Sequence, residues 1–140
     1  MSSRTHAIVL PGGGYAEHVA HEGEPIVGWL NGLGVRAGVF RYPLMARHPE
    51  PLDALRAEIR RLRDEGAERI GVIGFSAGGH LAGLAAALAA HGVPHAAHVF
   101  AHGPHSLGLA RGDGDAAAWT ALAASWIIEQ SQARSTLTPT

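Results

Sequence analysis

The sequence predicts an α/β fold, a minimal parallel sheet of about four strands flanked by helices. Three observations carry that expectation. Short apolar runs of strand length alternate along the chain with longer stretches of helical period. The runs are apolar at most positions rather than at every second one, the pattern of strands buried on both faces. Proline and glycine punctuate the joints: Pro25 and Pro51 stand where a first helical turn tolerates proline, and Gly34, Gly66 and Gly92 where helices end.

In chain order, the first strand is expected over His6 to Leu10, ahead of the glycine-rich Leu10-Pro11-Gly12-Gly13-Gly14-Tyr15. Ile26, Leu30 and Leu33 mark a first helix, and Val35 to Phe40 a second strand. Leu52, Leu55, Ile59 and Leu62 keep helical spacing before a third strand at Ile70 to Gly74. Leu81, Leu84 and Leu88 mark a third helix, Ala97 to His102 a fourth strand, and Trp119, Leu122 and Trp126 a last helix. The polar tail from Gln130 to Thr140 is expected to fray.

With 140 residues, the chain reads as one domain over 1–140, compact and globular at 46% hydrophobic and 16% charged residues. Eleven basic residues against twelve acidic ones leave a net charge of -1, so no electrostatic footprint for nucleic acid or an anionic membrane is present. The absence of cysteine removes disulfides, thiolate metal sites and cysteine nucleophiles together. The first residues lack the apolar core of a signal peptide, and no apolar run approaches spanning length, so a cytoplasmic location is expected.

The chemistry centres on Gly74-Phe75-Ser76-Ala77-Gly78, a G-x-S-x-G pattern at the passage from a strand-like run to a helix-like one. A tight turn there pushes the Ser76 hydroxyl out of the backbone. The Ala77 amide, at the helix start, then faces the oxyanion formed when that hydroxyl attacks a carbonyl. The bland alternative is a serine that only caps the helix. Three successive glycines after the first strand let backbone amides turn toward a bound group. A phosphate-loop reading fails because no Lys-Ser or Lys-Thr follows and Glu17 breaks G-x-G-x-x-G. Gly13 or Gly14 is therefore the expected second oxyanion donor, with a plain flexible turn as the alternative.

A serine nucleophile needs an imidazole within hydrogen-bond reach, and His105, after the fourth strand, is the expected general base. His91, His95, His98, His102 and His105 look metal-like in spacing. Gly92, Pro94, Gly103 and Pro104 interrupt any helix through them, so neither a metal nor a cofactor is expected. His80 is expected to pack or hydrogen-bond along the third helix, and His18 and His21, near Glu22 and Glu24, to solvate their loop rather than line the mouth of the site.

At these residues the chain resembles the α/β-hydrolase superfamily, specifically the acetyl-xylan esterase-like and hormone-sensitive-lipase-like carboxylesterases. The resemblance rests on "VLPGGGY", "HEGEPIVGWLNGLG", "FRYPL", "GVIGFSAGGHLAG" and "HVFAHGPHSLGLA", in family order from Ala7 to about Ile128. It implies Ser76 as nucleophile, His105 as base, and the Gly13 and Gly14 amides with Ala77 as oxyanion hole. It also implies a departure. Members are longer, and "LAGLAAALAAHGVPHAAHVF" runs directly from what resembles the nucleophile helix into a much later one. The segment that carries the acidic third member has no counterpart, so a truncated α/β-hydrolase fold is expected.

With right-handed crossovers, the strand order that the resemblance implies is second, first, third, fourth, with the glycine loop and Ser76 flanking the switch point. An unpaired, apolar fourth strand invites pairing with another chain, so a homodimer or higher homo-oligomer is expected. Asp113 or Asp115 could orient the imidazole, a partner subunit could supply a carboxylate, or no acid does so; Asp53 and Asp64 belong to the second helix. The function expected is a small carboxylesterase acting on short-acyl esters. The rivals are a catalytically silent, oligomeric binding module and a flavodoxin-like domain binding a small anion at the glycine loop.

Overall fold

The structure, a computed structural model, describes residues 4–86, 105, 108–112 and 114–132. Strand β1 (Thr5–Leu10) is central. β2 (Arg36–Val39) and β3 (Arg69–Gly74) lie parallel on either side of it, giving the order β2-β1-β3. Registers run from His6 opposite Arg36 to Val9 opposite Val39, and from Thr5 opposite Arg69 to Leu10 opposite Gly74. The order agrees with the expected second, first, third. The fourth strand expected over Ala97 to His102 lies outside the described residues, and with it the free edge on which the expectation of a homo-oligomer rests.

The helices are α1 (Glu24–Gly32), α2 (Glu50–Asp64), α3 (Ala77–Ala86) and α4 (Trp119–Gln132), with 3-10 turns at Ala20–Glu22 and Gly114–Ala118. Period two on β1 sends its side chains alternately to two cores. Ala7 and Val9 join Ile26, Val27, Leu30 and Val35 on the α1 face, with Trp29, Trp119 and Ile127 packed against them. Ile8 and Leu10 join Tyr42, Leu52, Leu55, Leu62 and Leu81 on the opposite face. Helices therefore cover both sides of β1, which explains the continuous apolar run from Ala7 to Leu10.

Helices α1 and α2 stop by one device. Gly34 (φ 81°) and Gly66 (φ 105°) take left-handed conformations. Their amides bond to the Asn31 and Arg63 carbonyls, and the following amides of Val35 and Ala67 reach back to Leu30 and Leu62. This is the Schellman pattern that glycine makes easy. Helix α4 extends through Gln132, into the tail expected to fray.

Candidate active site

Phe75 and Ser76 join β3 to α3, and Ser76 takes φ 51°. A left-handed backbone costs a non-glycine residue about 1–2 kcal/mol, so the surrounding structure must hold it there. The two flanking glycines show how. A Cβ on Gly74 would come within 2.2 Å of the Gly78 carbonyl oxygen, and one on Gly78 within 2.1 Å of the Leu10 carbonyl oxygen. The bare backbones of β3, α3 and β1 thus press together, and the turn that joins them has no room to relax. An N-cap residue has extended backbone, so Ser76 is not in capping conformation. Its residue is exposed, and its hydroxyl bonds to no described group.

The glycine loop closes on the same point. A Cβ on Gly12 would lie 3.1 Å from Ser76 Cβ, 2.9 Å from the Phe75 carbonyl oxygen and 2.7 Å from Glu22 Oε1. Gly12 donates its N–H to Glu22 Oε1 at 3.2 Å, and its carbonyl accepts from the Val19 amide at 2.9 Å. Gly13 (φ 139°) and Gly14 (φ 64°) follow, with the Gly13 carbonyl accepting from Ala16 and Glu17. The Gly13, Gly14 and Ala77 amides bond to no acceptor among the described residues. Donors without partners, beside an exposed hydroxyl, are what an oxyanion site requires.

Tyr42 closes the loop from the other core. Its hydroxyl donates to the Pro11 carbonyl, and burial, followed by neighbouring Tyr15 and Glu22, pushes its pKa up to about 12. Tyr15, raised by burial, shares a 2.7 Å hydrogen bond with His80 Nδ1, which ties the glycine loop to α3. His80 thus takes the hydrogen-bonding role expected of it.

His105 is exposed, and no hydrogen bond among the described residues joins it to Ser76. The chain just beyond it does reach the site. Trp119 Nε1 donates to the Gly108 carbonyl at 3.0 Å, while the Trp119 ring packs edge-on against Phe75 with centroids 5.7 Å apart. A Cβ on Gly108 would lie 3.1 Å from His21 Cδ2. Asp113 and the side chain of Asp115 lie outside the described residues, as do His91, His95, His98 and His102. Asp53 sits on the exposed surface of α2, 3.9 Å from Arg56.

Two residues depart from the sequence reading. His18 does not solvate its loop. Its ring packs edge-on against Tyr42, 4.5 Å between centroids, and its Nε2 is 3.0 Å from the Tyr42 carbonyl oxygen. His18 and His21 both line a cavity of about 400 Å³ with Pro11, Val19, Val39 and Arg41. Glu22, read only as a loop carboxylate, is 1% exposed. Nothing in the spacing separates it from Glu24, two positions on and exposed; in the fold Glu22 accepts from the Gly12 amide. Among the described residues, no three histidine, aspartate or glutamate side chains gather as a metal site, and no helix is long and apolar enough to cross a membrane.

No protein-family model matches the chain, and no curated protein matches it. Solved structures do. The acetyl ester-xyloside bifunctional hydrolase from Caldicellulosiruptor lactoaceticus superposes with a TM-score of 0.81 at 26% identity, covering 94% of this chain and 85% of that one. MGS-M1, an α/β-hydrolase enzyme from a Medee basin deep-sea metagenome library, gives 0.73 at 23% identity, over 87% and 82%. The chain therefore has the α/β-hydrolase fold in a small form, and both of these structural neighbours are hydrolases.

Proposed function

We propose that the protein is a serine carboxylesterase that cleaves short-acyl esters. Ser76 Oγ attacks the ester carbonyl carbon, and the His105 imidazole takes the hydroxyl proton. The carbonyl oxygen becomes an oxyanion held by the amides of Ala77 and of Gly13 or Gly14. Collapse breaks the bond to the alcohol, which leaves with the proton returned by the imidazole. A water molecule, deprotonated by the same imidazole, then attacks the acyl-serine, releases the acid and restores Ser76.

The observation that carries this reading is the strained Ser76 turn, set against a glycine loop in which the Gly13 and Gly14 amides have no acceptor among the described residues. The Caldicellulosiruptor neighbour is named for an acetyl ester, which makes acetyl esters the first substrates to test. An orienting acid is no part of the proposal, and its lack in a triad costs on the order of 10⁴ in turnover, so a slow enzyme is expected. Purified protein should release p-nitrophenol from p-nitrophenyl acetate, and Ser76→Ala should reduce that rate by at least about 10³-fold. Equal rates in the two proteins would refute the assignment. A folded wild-type protein with no turnover at all would favour the silent binding module.

A further inference from the structure

We infer that Glu22 and Tyr42 are positioning residues for the proposed oxyanion site, together pinning the Pro11–Gly12 peptide plane from its two ends. The inference rests on the esterase reading for its catalytic consequence and on the geometry alone for the pinning. The two groups of one peptide unit are both engaged by side chains: the Tyr42 hydroxyl donates to the Pro11 carbonyl, and the Glu22 carboxylate accepts from the Gly12 N–H. The partners arrive from opposite directions in the chain, Glu22 from the 3-10 turn before α1 and Tyr42 from the segment after β2.

A carboxylate taken almost wholly out of water is expensive unless its lone pairs are satisfied. Glu22 and Thr5 are the buried polar or charged residues of the described core, and Thr5 lies at the other end of β1. A protein gains nothing in apolar packing from Glu22, so its placement against a backbone amide is best accounted for by what it holds. It holds Gly12, whose absent side chain leaves just enough space for the carboxylate on one side and Ser76 on the other. With that peptide plane fixed, and the Gly12 carbonyl tied to Val19, the orientation of the Gly13 and Gly14 amides is set before any substrate arrives. Preorganised donors of this kind act in the transition state and not on the ground state.

The test uses Glu22→Ala and Glu22→Gln in the whole chain, with two readouts. Backbone amide exchange, followed by NMR, reports the pinning without reference to activity: the Gly12 amide should exchange at least about tenfold faster in Glu22→Ala and near the wild-type rate in Glu22→Gln, whose amide oxygen still accepts. Hydrolysis of p-nitrophenyl acetate reports the consequence. kcat should fall about 10- to 100-fold in Glu22→Ala with KM within about twofold, and Glu22→Gln should recover most of it. Unchanged exchange in Glu22→Ala, or a kcat loss that Glu22→Gln does not recover, overturns the inference. A wild-type protein without esterase activity overturns the esterase reading and the catalytic half of the inference; the exchange result then decides the pinning.

Discussion

The two ends of the sheet are made of the same strands and differ in almost everything else. At the C-terminal end, Tyr15 after β1, Met45 after β2 and Ser76 after β3 take φ of 61°, 53° and 51°. There a carboxylate and a tyrosine hydroxyl are buried against one peptide bond, and glycine backbones touch. At the N-terminal end only glycines among the described residues take positive φ, and although Thr5 is buried the ion pairs are at the surface. Arg4 pairs with Glu68 at the surface, and Arg61 with Glu58 and Glu65 along α2. Exposed pairs of that sort contribute little. One end is built for cheap solvation and the other concentrates strain and buried polarity. Strain that the rest of the fold must offset is the ground for placing the proposed site at the C-terminal end.

The sharpest way to break this comparison is to fill the contact between β1 and α3. Gly78→Ala puts a methyl group against the Leu10 backbone and should destabilise the fold by about 3 kcal/mol, lowering the thermal midpoint by roughly 10 °C. Gly83→Ala on the same helix meets nothing within 4 Å among the described residues and should be neutral or raise stability, by up to about 1 kcal/mol. Similar midpoints for the two variants would show that the close approach at Gly78 is not the constraint described.

A smaller effect is expected at Tyr42. Tyr42→Phe keeps the ring and removes the donor, leaving the buried Pro11 carbonyl unpaired at about 1–2 kcal/mol in urea unfolding. A loss below about 0.3 kcal/mol would mean that the carbonyl finds another partner.

The smallest belongs to the N-terminal end. Burial lowers the pKa of His6 from its usual 6.5, with Arg61 and Arg36 acting in the same direction against Glu58 and Glu65. The unfolded chain therefore binds more protons just below pH 6.5, and stability falls on acidification through that window. The hydrogen bond from Arg61 holds the Glu58 carboxyl below its usual 4.5, so its stabilisation is present above that pH and lost as pH falls further. In His6→Gln the fall near pH 6.5 should flatten while the steeper loss below pH 4.5 remains. An unchanged profile would remove His6 from the account.

The layout of β1, β2 and β3 was legible to within a residue or two because runs such as Ala7 to Leu10 are buried on both faces and show it as continuous apolarity. Ser76 and the glycine loop were legible for a different reason: their conformation is enforced by neighbours in sequence, Gly74 and Gly78 among them, so a local pattern carries it. Glu22, Tyr42 and His18 were not. The Glu22 carboxylate is hydrogen-bonded by an amide ten residues away, and the Tyr42 hydroxyl donates to a carbonyl thirty-one residues away. A polar side chain advertises neither partner, and periodicity counts it as surface. His105 was legible as a candidate only, from its place after an apolar run, and no hydrogen bond among the described residues joins it to Ser76.

The central claim is that the strained Ser76 hydroxyl is a nucleophile. Reaction of the intact protein with a fluorophosphonate, read by intact mass and peptide mapping, tests it most directly. One adduct should form per chain, located on Ser76, absent in Ser76→Ala and slowed at least about tenfold in His105→Ala. No adduct on the folded protein, or an adduct on another residue that persists in Ser76→Ala, would contradict it.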